Sequence, residues 1–108
     1  MSKRTPSTVF GMRLRNARLR AEIPQDRLGV MIGLDETTAS ARISRYETGI
    51  HAPPFEIVKS LGKVLSVPPA YFFCEDESLA DLVSYWGTLK KKERDKVLHL
   101  LRQAFADE

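Results

Sequence analysis

One cysteine and two histidines in 108 residues close off several chemistries at once. Cys74 has no second cysteine to pair with, so the fold cannot depend on an intramolecular disulfide or an oxidising compartment. Beside Phe72 and Phe73 it reads as a small packing residue. His51 and His99 stand far apart and form no ligand set with Cys74, so neither a metal nor another cofactor is expected. A glycine-rich phosphate loop, a nucleophile elbow and an HExxH helix are all missing, which argues against an enzyme. No apolar run approaches the roughly 18 residues that a membrane helix requires. Met1 to Thr8 are polar and lead into an arginine-rich stretch rather than the apolar core of a signal peptide, so a cytoplasmic protein is expected.

What the chain does have is unevenly placed charge. Residues 1–73 carry 11 Lys/Arg against 6 Asp/Glu, whereas residues 74–108 carry 6 against 8. The basic excess therefore sits in the first two thirds, as expected of a part that meets a polyanion. Taken alone, such an excess is also ordinary for a solvated domain.

The hydrophobic pattern is helical throughout, and no segment alternates with period two, so an all-α fold is expected. Residues 1–7, with Lys3 and Arg4, read as a flexible arm. From about Thr8, the residues Phe10, Leu14, Ala17 and Ala21 recur at helical spacing, with Arg13, Arg15 and Arg20 read as solvated charges. Pro24 opens a short second helix with Leu28 and Ile32 inward, and Gly33 stops it. Asp35 is a suitable N-cap for a third helix that runs to Thr48 and ends at Gly49. Pro53 forces a loop before a fourth helix bearing Ile57, Val58, Leu61, Val64 and Leu65. Pro68 and Pro69 begin a short fifth turn with Tyr71 and Phe72. Two further amphipathic helices follow. One starts at Ser78 with Leu79, Leu82, Val83 and Trp86 inward; the other spans roughly Lys90 to Ala106.

The most informative stretch is residues 24–49, PQDRLGVMIGLDETTASARISRYETG. Gln25 at a helix start, Leu28, Gly33 in a turn, and the run Ile43-Ser44-Arg45-Tyr46-Glu47 closing on Gly49 form an ordered set. With Leu14 and Arg18 before it and Leu61, Val64, Leu65 and Val67 after it, this set resembles the Cro/C1-type (XRE) helix-turn-helix family over about residues 8–73. The resemblance implies a five-helix lambda-repressor-like DNA-binding domain over residues 8–74, with residues 75–108 as a C-terminal two-helix extension. One departure stands out: about four extra residues lie between Gly33 and the Ile43-Ser44 pair. Four residues are close to one helical turn, so they can lengthen the third helix without rotating its inner face. A longer loop is the alternative.

On a helix, Ala39, Ile43 and Tyr46 share one face, which is expected to be buried. The opposite flank holds Thr37, Ala41, Arg45 and Thr48, with Thr38 and Ser44 at its edges. Together with Ser40, the candidates for base readout are Thr37, Thr38, Ala41, Ser44 and Arg45, small groups suited to approaching base edges in a major groove, with one guanidinium able to bond guanine. Arg45 is the leading candidate for base readout, although a lone arginine there also suits a solvated helix face. Arg42 lies to the side, within reach of a backbone phosphate, and Thr48 is a second phosphate candidate. Gln25, at a helix N-terminus where backbone N–H groups favour an anion, is expected to grip a phosphate, the role the family gives that position. His51 follows Gly49 where the family often has basic phosphate contacts, and it is a weaker one. The resemblance further implies an internal ion pair between Arg18 and Glu47.

A reader of paired half-sites needs a two-fold partner. The last helix carries a broad apolar stripe, so Leu82, Trp86, Val97, Leu98, Leu101 and Phe105 are the candidate dimer interface, the alternative being that they complete the monomer core. The expected function is sequence-specific, double-stranded DNA-binding transcription regulation, as a repressor acting from an operator as a homodimer and associated with the nucleoid. Two other readings use the same module: an antitoxin with a small protein partner, and a protein-interaction adaptor that has lost DNA binding.

Overall fold

In the computed structural model, which describes residues 6–106, every regular element is helical. Six α-helices follow in order: α1 (Val9–Arg20), α2 (Gln25–Met31), α3 (Ala39–Thr48), α4 (Phe55–Leu65), α5 (Glu77–Thr88) and α6 (Lys91–Ala104). A 3-10 turn, Pro69–Phe73, stands between α4 and α5.

The punctuation follows local chemistry. The Thr8 hydroxyl caps α1 by accepting from the Gly11 N–H at 2.9 Å, satisfying a donor that the first turn leaves free. Pro24 and Pro54 sit just outside α2 and α4 with φ near −65°, where a missing N–H costs nothing. Gly49 ends α3 at φ +85°, a conformation in which a side chain is strained. The Asp76 carboxylate caps α5 through the Leu79 N–H at 2.8 Å.

The core forms where the inner faces of α1 to α4 meet the 3-10 turn. Leu14, Leu28, Ile43, Val58, Leu61 and Phe72 are fully buried, each contributing about 1.5–3 kcal/mol of apolar transfer. Helices α2 and α3 pack backbone to backbone: a Cβ on Gly29 would lie 2.5 Å from the Ala39 Cβ. Only a glycine opposite a small residue permits that approach.

Several expectations are corrected. Ala21 is exposed, because α1 has already ended there and Glu22 turns the chain at φ +58°. Leu79 and Leu82 are exposed, while Ala80 is core. The face of α5 turned to the body carries Ala80, Val83 and Gly87, so the small residues set a close approach and the large ones point away. Arg13 is buried rather than solvated, sharing the inner face of α1 with Leu14 and Ala17. No residue of α6 is buried.

Candidate nucleic-acid interface

Helix α3 carries the candidate site. Its inner face, Ala39, Ile43 and Tyr46, is buried against α1, α2 and the core, which leaves its opposite flank nowhere to go but outward. Ser40, Ala41, Arg42 and Arg45 are exposed there and Ser44 is half-buried at the edge. Among the described residues neither Arg42 nor Arg45 has an ion-pair partner. The Thr48 hydroxyl is turned back on its own helix, donating to the Ser44 carbonyl at 2.9 Å, while the Thr48 carbonyl accepts from Ser7 at 2.7 Å. That last bond brings residue 7 of the expected arm to the end of α3. Lys3 and Arg4 lie outside the described residues.

The extra residues form a loop, not an added helical turn. Helix α3 starts at Ala39, and Thr37 and Thr38 stand just before it rather than on its outward face. The cause is Asp35, whose carboxylate accepts from the Thr37 hydroxyl at 2.7 Å and the Thr37 N–H at 2.8 Å. The Thr38 N–H closes the turn on the Asp35 carbonyl at 3.1 Å. This side-chain capture competes with the helical ladder, and two β-branched threonines in a row weaken the helix further. The Thr37 hydroxyl and then its N–H hold the Asp35 carboxyl below its ordinary 3.8. All four residues 35–38 are exposed, so the loop stands beside the α3 flank.

A charged lock fixes α3 from behind. Arg18 Nε and a terminal nitrogen both donate to Glu47, the second at 3.2 Å, and Arg18 also donates to the Ile23 carbonyl at 3.1 Å. Gln25 Nε2 donates to the same Glu47 carboxylate at 3.1 Å. One amide proton of Gln25 is therefore occupied, and the side chain keeps a second proton and its half-exposed position at the start of α2. Glu47 thus ties α1, α2 and α3 together at one point. His51 is exposed beyond Gly49, its N–H donating to the Arg45 carbonyl at 3.2 Å.

Of the remaining expected interface residues, Leu82, Leu98, Leu101 and Phe105 are exposed, whereas Trp86 and Val97 are half-buried. Trp86 stacks under Arg94, with the guanidinium carbon 5.5 Å from the ring centroid, and its carbonyl accepts from Arg94 Nε at 3.1 Å. The residue missed in the sequence is Arg13. The sequence pattern assigns it to the surface of α1, because a charge reads as solvated until the acceptors around it are known.

A rigid two-helix unit, with one helix buried on one side and lined with small polar groups on the other, is a helix-turn-helix. A helix-turn-helix family profile matches residues 14–72, more than half of the chain. The crystal structure of the transcriptional regulator BswR is similar at 36% sequence identity and a TM-score of 0.80, covering 86% of this chain and 92% of that one. No curated protein matches the sequence. The chain belongs to the XRE-type helix-turn-helix family. That membership makes it a DNA-binding regulator rather than an enzyme. No helix among the described residues is long and apolar enough to cross a membrane.

Proposed function

We propose that this regulator binds a two-half-site operator in double-stranded DNA as a homodimer and represses transcription by occupying it. The observation that carries the reading is the flank of α3: exposed, small, polar and armed with Arg45, opposite a face that is wholly buried. In the major groove, Ser40, Ala41, Ser44 and Arg45 reach base edges, with Arg45 donating both arms of its fork to one guanine. Thr37 and Thr38 approach from the loop ahead of α3. Arg42, His51 and the free amide proton of Gln25 meet phosphates on either side, whereas the Thr48 hydroxyl, spent on the Ser44 carbonyl, does not.

The C-terminal helices supply the second subunit. Leu82 and Tyr85 on α5, Leu98 and Leu101 on α6, and Phe105 just after it, leave apolar surface in the open that the body does not cover. Leu98, Leu101 and Phe105 recur at helical spacing, a stripe a second copy can bury symmetrically. In a single chain that stripe stays partly open to water.

Retention of genomic DNA fragments by the purified protein tests the reading. Sequences sharing paired half-sites about one DNA turn apart are expected, bound with an affinity that falls steeply as salt rises. Absence of any salt-dependent binding would favour the adaptor reading, and a second small protein seated on α5 and α6 in the native host would favour the antitoxin.

A further inference from the structure

The joint between the helix-turn-helix body and the C-terminal helices is built around a buried cation. Arg13 is 2% exposed, on the inner face of α1. Its Nε donates to the Cys74 carbonyl at 2.8 Å, one terminal nitrogen to the Glu75 carbonyl at 3.2 Å, and the other to the Glu77 carboxylate at 3.1 Å. The guanidinium carbon also lies 5.9 Å from the Tyr71 ring centroid. An arginine stays protonated even when buried, so these acceptors must compensate its lost hydration. The only carboxylate among them is 76% exposed, so the two linker carbonyls carry most of that task at depth.

Those carbonyls belong to the three residues, Cys74 to Asp76, that join the 3-10 turn to α5. The segment is extended, with ψ of 110° at Cys74 and 130° at Asp76, and on its own would act as a hinge. Helix α5 also meets the body through small apolar groups: Ala80, Val83, and Gly87 against Pro68. Such contacts resist separation but are not directional, and permit rocking. The three-pronged bond from Arg13 is directional.

We infer that Arg13 fixes the angle between the DNA-reading body and the C-terminal arm, and thereby sets which half-site separation the dimer accepts. This rests on the dimeric reading above. The molecule is long, 54 Å by 25 Å by 23 Å, so the arm has leverage. Rocking by about 10° over half that length moves a recognition helix by roughly 5 Å, more than the rise of about 3.4 Å per base pair in B-DNA. A rigid joint therefore selects one separation, and a loosened joint accepts neighbours.

The experiment selects bound sequences from a random duplex pool with the unaltered protein and with Arg13→Met, whose side chain fills similar space without donors. Both are expected to retain the same half-site sequence, because α3 is untouched. The unaltered protein is expected to retain one dominant separation, and Arg13→Met to spread over adjacent ones, its preference for the dominant spacing falling about tenfold. Should Arg13→Met fail to fold, Arg13→Lys reads the same quantity, since lysine keeps the charge but cannot present the fork to all three acceptors. A folded, dimeric variant that selects one separation as sharply as the unaltered protein overturns the inference. Single, unpaired half-sites retained by the unaltered protein would instead overturn the dimeric reading beneath it.

Discussion

Glu47 is the point at which the DNA-reading helix is held, and a double-mutant cycle with Arg18 measures how strongly. The Arg18 and Glu47 side chains are only 11% and 4% exposed, so neither charge can turn to water if its partner is removed. Glu47→Leu strands the Arg18 guanidinium with the Ile23 carbonyl as its remaining bond, and frees the Gln25 amide. Breaking such a pair costs about 3–5 kcal/mol, a large share of the 5–15 kcal/mol that holds a domain of this size. Arg18→Met is expected to cost a similar amount, by stranding the carboxylate. Replacing both with apolar residues of like volume removes the desolvation penalty together with the attraction, and is expected to cost less than about 2 kcal/mol. The coupling between the two sites should therefore exceed about 3 kcal/mol. Urea unfolding followed by far-ultraviolet circular dichroism supplies all four free energies. Additive single effects, with the double variant as unstable as their sum, would refute the buried-pair account.

Three further outcomes follow from the same geometry. Gly49→Ala places a Cβ at φ +85° and 2.6 Å from the Ser7 hydroxyl oxygen, so a loss of about 1–3 kcal/mol is expected by thermal unfolding; an unchanged melting temperature would contradict the cap. Leu101→Glu with Phe105→Glu should leave the unfolding free energy within about 0.5 kcal/mol when both proteins are compared at concentrations dilute enough to be monomeric, because both residues are exposed, yet reduce the species in sedimentation at higher concentration to a monomer of 12.2 kDa; a persistent dimer would move the interface elsewhere. The Asp35 carboxyl is held low in the folded state by the Thr37 hydroxyl and N–H, so the turn is favoured above the ordinary 3.8 and loosens only as pH falls through the lower folded value. The Thr37 amide resonance should titrate with a midpoint below 3.8, and a midpoint at or above it would remove the proposed capture.

The parts legible in the sequence are those set by local rules. Gly33, Gly49, Pro24 and Pro54 mark helix ends, and the inner face of α3 emerged from helical spacing alone, since Ala39, Ile43 and Tyr46 are all buried. The start of α3 was not legible, because Asp35 is equally suited to cap a helix and to close a turn on Thr37. Only the positions of the following threonines decide between them. The orientation of α5 escaped for a different reason. Spacing marks Leu79, Leu82, Val83 and Trp86 as one stripe, yet of these Val83 packs on the core while the leucines stay exposed. The body takes Val83 with the small residues Ala80 and Gly87, a choice made by tertiary fit against Pro68. Arg13 shows the limit of charge as a guide. The residue lies inside, and the acceptors that make this tolerable lie more than 60 residues along the chain.

The most direct test of DNA reading by α3 is the base preference of Arg45→Ala, measured by selection from a random duplex pool beside the unaltered protein. Arg45 is exposed and outside the core, so folding stability should change by no more than about 0.5 kcal/mol. Discrimination at one base pair per half-site should fall by about 1–3 kcal/mol, with the other positions retained. A variant of unchanged stability that keeps the full preference at every position would show that this flank does not read the bases.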